Sequence, residues 1–127
     1  MTAQELRIGN YVQDLVGAPC RVRAINEGGI SIKCGGYSAS VEMFKPIELT
    51  EEVLLKCGFM KNASNDYVIL DLFKLSLHYS YGKPVGWMFF IKSLDWIIVN
   101  RQNSIKYFHQ LQNLYFALTN KELEICF

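Results

Sequence analysis

Excess charge of either sign is missing from this chain: 13 Lys and Arg stand against 12 Asp and Glu, a formal net charge of +1. That balance creates no long-range pull toward a polyanion, which argues against non-specific DNA binding as the main task and leaves a small local basic patch open. Long apolar runs are missing too. The most apolar stretch, 85–99, is broken by Lys92 and Asp95, and no run reaches the roughly eighteen residues that a membrane-spanning helix requires. The opening Met1-Thr2-Ala3-Gln4-Glu5-Leu6-Arg7 lacks the basic start and apolar centre of a signal peptide, so the expected setting is the cytoplasm.

Close cysteine pairs are absent. Cys20, Cys34, Cys57 and Cys126 are too widely spaced for a zinc-type cluster, no dense disulfide framework is indicated, and the apolar text around three of them reads as small buried hydrophobes. No phosphate-cradling loop is present either: Gly28-Gly29 and Gly35-Gly36 lack a following Lys-Ser/Thr and open no helix, so they read as hairpin turns. Histidine is scarce. His78 falls on the polar row of a strand and His109 on the border of a helix stripe, with no Ser or Cys motif to place a nucleophile beside either. Asp71 and Asp95 are the only carboxylates within otherwise apolar strand-like text, and they read as solvated or paired. The expectation is a protein without catalytic residues, metal or cofactor.

Apolar and aromatic residues are plentiful. Half of the 127 residues are hydrophobic, and eight Phe, seven Tyr and two Trp are more aromatics than a core of this size strictly requires. Such a chain buries roughly two-thirds of its unfolded surface, as one compact unit or two small lobes.

Residues 6–47 read as a small all-β unit. Leu6-Arg7-Ile8-Gly9-Asn10-Tyr11-Val12, then Cys20-Arg21-Val22-Arg23-Ala24-Ile25, then Gly29-Ile30-Ser31-Ile32-Lys33 and Ser40-Val41-Glu42-Met43-Phe44 each alternate apolar with polar, with breaks at Gly17-Ala18-Pro19, Glu27-Gly28-Gly29 and Gly35-Gly36. Over about forty residues this text resembles SH3-like small barrels of the KOW or Tudor kind. That resemblance implies a curled sheet of short strands.

A short helix follows, capped by Thr50, with Glu51 and Glu52 at its positive end, Leu49 and Leu54 spaced as a hydrophobic staple and Gly58 at its end. Past the polar loop 61–66, with Phe59 and Tyr67 suggesting a strand in and a strand out, the chain reads as a three-stranded meander. Phe73-Lys74-Leu75-Ser76-Leu77-His78-Tyr79 alternates with period two, Trp87, Phe89 and Ile91 make the apolar row of a central strand, and Asp95-Trp96-Ile97-Ile98-Val99-Asn100 makes the third. Ile105, Phe108, Leu111, Leu114, Tyr115 and Leu118 then recur at helical spacing, leaving Lys106, Gln110 and Asn113 opposite. The spacing predicts a helix from about Ser104, capped by Asn103 or Ser104, to about Leu118, and Thr119 with Glu122 has capping-box spacing for a further turn. The fold class is therefore α+β: a β unit in residues 1–48, then, in 49–127, a short helix and an antiparallel meander covered by the closing helix, packed together as one compact protein.

The closing segment 107–123, with Leu6–Val12 and Pro46-Ile47-Glu48-Leu49-Thr50-Glu51-Glu52, resembles a group of short proteins encoded by phages and mobile elements of gut bacteria. The resemblance implies a setting in a bacterial host and supplies no catalytic residues.

Two functions follow as expectations. The first is a non-enzymatic small-molecule binder, which in a phage setting would sequester a nucleotide-derived host immune signal. Tyr79, Tyr81 and Trp87 would stack a ring, and Arg101, Asn103 and His109 would read its edge. The second is an adaptor that binds a protein or nucleic acid through the N-terminal unit, with Arg21, Arg23, Lys33 and Tyr37 as contacts. Homo-oligomerisation is plausible for either, because Tyr107, Phe108 and Phe116 place apolar surface on more than one face of the closing helix.

Overall fold

The computed structural model describes every residue except 27, 29, 30, 35, 93, 94 and 100–103, with Ala3 and Tyr37 described by backbone alone. The chain divides into two units, one made of residues 1–48 and 107–123, the other of 49–106 and 124–127.

In the first unit, strands β1 (Tyr11–Gln13), β2 (Pro19–Ile25), β3 (Ser31–Cys34), β4 (Tyr37–Ser40) and β5 (Lys45–Pro46) form an antiparallel sheet in the order β4-β3-β2-β1-β5. The turn after β1 is built by Asp14, whose Oδ1 accepts the N–H groups of Val16 (3.0 Å) and Ala18 (2.9 Å). A bulge interrupts β2 between Val22 and Ala24, which fits the outward position of Arg23. Val12, Val22, Ile32, Cys34, Val41 and Phe44 make the core. Residues 41–44, expected to continue a strand, instead contain a 3-10 turn, Val41–Met43, that buries Val41 before β5 returns to β1.

The closing helix, α2 (Phe108–Thr119), belongs to this unit and not to the meander with which the periodicity grouped it. It starts four residues later than expected. Ile105 is taken up in β pairing, its N–H donating to Trp87 O at 2.9 Å and its C=O accepting from Trp87 N at 2.8 Å, and an extended residue cannot also open a helix. The helix is capped by Tyr107, whose N–H is accepted by Gln110 Oε1 at 3.1 Å. It ends at Asn120, which is left-handed at φ 58°. No further turn starts at Thr119: its hydroxyl bonds back to Tyr115 O at 2.8 Å, and Glu122 is held by Arg7.

In the second unit, α1 (Glu51–Lys56) is capped as expected, with Thr50 Oγ1 accepting from Val53 N at 3.3 Å and Gly58 turning the chain at φ 92°. Five antiparallel strands follow in the order β10-β9-β8-β7-β6: β6 (Met60–Lys61), β7 (Tyr67–Ile69), β8 (Phe73–Ser80), β9 (Lys83–Lys92) and β10 (Trp96–Ile98). Alternation sends Phe73, Leu75, Trp87 and Phe89 to one face, where they are buried together with Leu54, Phe59 and Tyr67 in this unit.

One expectation about cysteine is corrected. Cys20 and Cys34 are joined in a disulfide that ties β2 to β3. Strand pairing brings them within reach, with Cα atoms 5.8 Å apart. Cys57 is a buried free thiol, as its apolar surroundings imply, whereas Cys126 is exposed.

Candidate functional site

The face of the second sheet opposite its core carries Lys74, Ser76, His78, Met88 and Phe90, all half-buried. The Lys74 ammonium lies 4.6 Å from the centre of the Phe90 ring, 4.9 Å from that of Trp96 and 3.9 Å from Asp66 Oδ2. Asp66 also accepts from Ser76 Oγ at 2.6 Å. These contacts fix a flat basic-aromatic surface, because a cation over a ring face and a partly buried carboxylate both restrain the lysine.

At one end of this face a cavity of about 510 Å³ opens, lined by Gly58, Met60, Lys61, Asn62, Val68, Ile69, Leu70, Asp71, Lys92 and Trp96. Its size falls in the range of small-molecule sites. Its chemistry is mixed: one indole, aliphatic walls, two ammonium groups and one carboxylate. Lys92 Nζ stands 5.7 Å from the Trp96 ring centre. Lys61 reaches Glu51 at only 3.9 Å, and both side chains are about half exposed, so this surface pair leaves most of the lysine's charge available. Asn62 uses its amide oxygen to accept the N–H groups of Ser64 and Asp66 at 3.0 and 2.9 Å. Asp71 is not within a strand: Leu70 and Asp71 form a tight turn with φ of 58° and 52°, closed by Leu72 N to Ile69 O at 3.2 Å. Such angles cost a leucine about 1 kcal/mol. The turn therefore holds an exposed apolar side chain at the cavity's edge against its local preference.

The residues expected to form a ring-stacking site are distributed differently. Trp87 is a core residue of the second unit, its Nε1 donating to Leu49 O at 2.8 Å and its ring meeting Tyr67 edge-on at 5.6 Å. Tyr79 and Tyr81 are exposed together on the β8–β9 hairpin, Tyr81 fully so at the tip. Arg101 and Asn103 lie outside the described residues. His109 is in the core of the first unit, with no solvent exposure. Neither of its ring nitrogens has a hydrogen-bond partner among the described residues, and Nε2 stands 3.6 Å from Glu5 Oε2. Burial lowers its pKa, and the pull of Glu5 only partly opposes that. The ring is therefore neutral at physiological pH and the Glu5 contact is not a full ion pair. Ser104, expected to cap the helix, instead bonds His78 Nδ1 through Oγ at 2.6 Å.

Sequence reasoning missed the cavity residues Lys61, Lys92 and Trp96. The one available signal was that Trp96 and Lys92 flank the same β9–β10 connection, which places an indole and an ammonium side by side once those strands pair as Trp96 to Lys92. On the first unit, Arg21, Arg23 and Lys33 are exposed as expected of an adaptor surface. Neither the family models, nor the curated proteins, nor the solved structures contain a match to this chain.

Proposed function

We propose that this protein is a non-enzymatic binder of a small, ring-bearing anion of the nucleotide class, held in the cavity beside Trp96. The observation that carries the reading is the conjunction, in one nucleotide-sized opening, of an indole face with the Lys61 and Lys92 ammonium groups. Stacking supplies affinity for any base, and the lysines supply preference for a phosphate. Holding a ligand this way requires no chemistry. In a phage-encoded setting the same property amounts to sequestration of a host signalling nucleotide.

Calorimetric titration with a panel of cyclic and ADP-ribose-type nucleotides tests this. Binding by at least one member, release of that nucleotide unchanged on heating, and weakening by about tenfold in Trp96→Ala and in Lys92→Glu are the expected results. Silence across the panel would remove the proposal. Recovery of an altered nucleotide would make the protein an enzyme instead.

The adaptor reading keeps one specific support: β1 to β4 form an antiparallel meander and, after a 3-10 turn, β5 returns beside β1, as a small curled-sheet unit of the SH3-like kind would require, and Arg21, Arg23 and Lys33 are exposed on it. Salt-dependent retention on nucleic acid that is lost in the Arg21→Glu/Arg23→Glu variant would favour it.

A further inference from the structure

We propose, resting on the adaptor reading above, that the outward face of the first unit's sheet docks the phosphate backbone of a nucleic-acid duplex. Register decides which side chains share this face. Val12, Val22, Ile32 and Cys34 belong to the core, so alternation turns Arg21 and Lys33, and Lys45 opposite Gln13, the other way. The bulge in β2 adds to them. Val22 pairs with Cys34 but Ala24 with Lys33, so Arg23 and Ala24 together oppose one residue of β3 and both face outward, beside Lys33. Arg21, Arg23, Lys33 and Lys45 are all exposed.

No carboxylate shares the outward strand positions. The others hold Tyr11, Gln13, Pro19, Ser31, Ser38 and Ser40, and among the described residues no ion pair engages Arg23, Lys33 or Lys45. Arg21 stands at the rim, where its charge also acts on Glu122, already bonded to Arg7. The chain as a whole carries only +1, so the positive charge is local. Docking is therefore modest in affinity and confined to this face.

The neutral residues narrow the partner. A single strand is held by stacking its bases on aromatic rings, and a protein partner by bulky aromatic anchors in its interface. Between these cations the outward residues are serines, an alanine and a proline, and Tyr11 is half-buried with its ring centre 6.3 Å from that of Phe108. Charge is what the face offers. Roughly 7 Å separates Arg21 from Arg23 along β2 and about 5 Å separates β2 from β3, which sets the cations apart so that each can face its own phosphate. Guanidinium forks and ammonium groups match phosphate oxygens, and a duplex presents these densely, on a rigid backbone, without sequence preference.

Fluorescence anisotropy on the full chain tests this with a labelled duplex of mixed sequence, the single strand of the same length and an oligoglutamate. The duplex is expected to bind most tightly, with log K falling against log salt at a slope of about −3, as three to four phosphate contacts imply. In Arg23→Glu/Lys33→Glu affinity should fall by at least about tenfold, and in Arg23→Gln/Lys33→Gln the slope should shrink to about −1. Both variants should keep the wild-type thermal midpoint, because these side chains are exposed. Lys83→Glu, a charge reversal on the second unit, should bind like the wild type. Duplex binding that survives Arg23→Glu/Lys33→Glu, or that Lys83→Glu weakens equally, overturns the assignment to this face. Preference for the oligoglutamate or the single strand, lost in the same double variant, overturns the duplex as partner and leaves the adaptor reading standing. Retention of none of the three at low salt overturns both.

Discussion

His109 is the residue whose environment departs furthest from its chemistry. A fully buried imidazole with both nitrogens unpartnered among the described residues gives up its hydration without a hydrogen bond from them in return. Protonating it in the folded state is resisted by that burial, and the Glu5 carboxylate only partly compensates. The unfolded chain takes the proton near the ordinary value of 6.5, while the folded chain takes it only at lower pH. The associated stability is therefore present above that value and is lost as pH falls below it, with a slope of at most about 1.4 kcal/mol per pH unit. Urea titrations from neutral pH downward should show this loss, and His109→Leu should flatten it. A rise in stability on acidification would mean that Glu5 dominates. Cys57 shows the same physics without a switch: burial pushes its thiol up to about 12, so it is inert as a nucleophile.

Among the elements, α2 is anchored mainly by its polar residues at the positions facing β1. Gln112 is buried. Its Oε1 accepts from Tyr11 N at 2.9 Å and its Nε2 donates to Gly9 O at 3.3 Å. Asn113, which helical periodicity puts on the outer side, instead accepts from Asn10 Nδ2 at 2.8 Å and donates to Glu5 O at 3.0 Å. Arg7 pairs with Glu122 through both terminal nitrogens and lies 4.2 Å from the centre of the Phe116 ring. The apolar faces of the helix are thereby largely occupied, with Phe108 buried and Phe116 under the guanidinium. Gln112→Leu keeps the volume but strands one N–H and one C=O, so a loss of about 2–4 kcal/mol is expected in chemical denaturation. A loss below about 0.5 kcal/mol would show that water or a rearranged neighbour replaces the amide. Periodicity located α2 and its apolar stripe because the 3.6-residue repeat is local. Which of its polar residues would be buried was illegible, since Asn10 lies about a hundred positions away in the chain.

At the scale of the whole molecule, the chain order and the units do not coincide. Residues 49–106 are inserted between two parts of the first unit, and the points of entry and exit are joined on each side: Glu48 bridges Tyr107, and Leu49 N donates to Lys106 O at 2.9 Å. A chain in which 48 is linked through two glycines to 107 should therefore fold. It would have fewer than about 70 residues, a size at which a core alone is marginal, and the Cys20–Cys34 bridge, spanning a separation of 14, is expected to add about 3 kcal/mol. Circular dichroism should show a cooperative thermal transition when the bridge is oxidised and a strongly lowered one after reduction. A non-cooperative melt of the oxidised form would mean that the first unit has no self-sufficient core.

Local chemistry was enough to determine the existence of α1, with its Thr50 cap and Gly58 stop, the alternation of β8 and β9, the β character of β1, β2 and β3 and the lack, among the described residues, of a helix long and apolar enough to cross a membrane, because propensity, capping and period act over a few neighbouring residues. Pairing decided the rest. Long-range strand contacts consumed Ile105 before it could join a helix, joined two cysteines that spacing left apart, buried Trp87 while leaving Trp96 at a cavity, and assigned α2 to the unit at the opposite end of the chain. Each of these depends on contacts between residues far apart in sequence, which the pattern along a single segment does not encode.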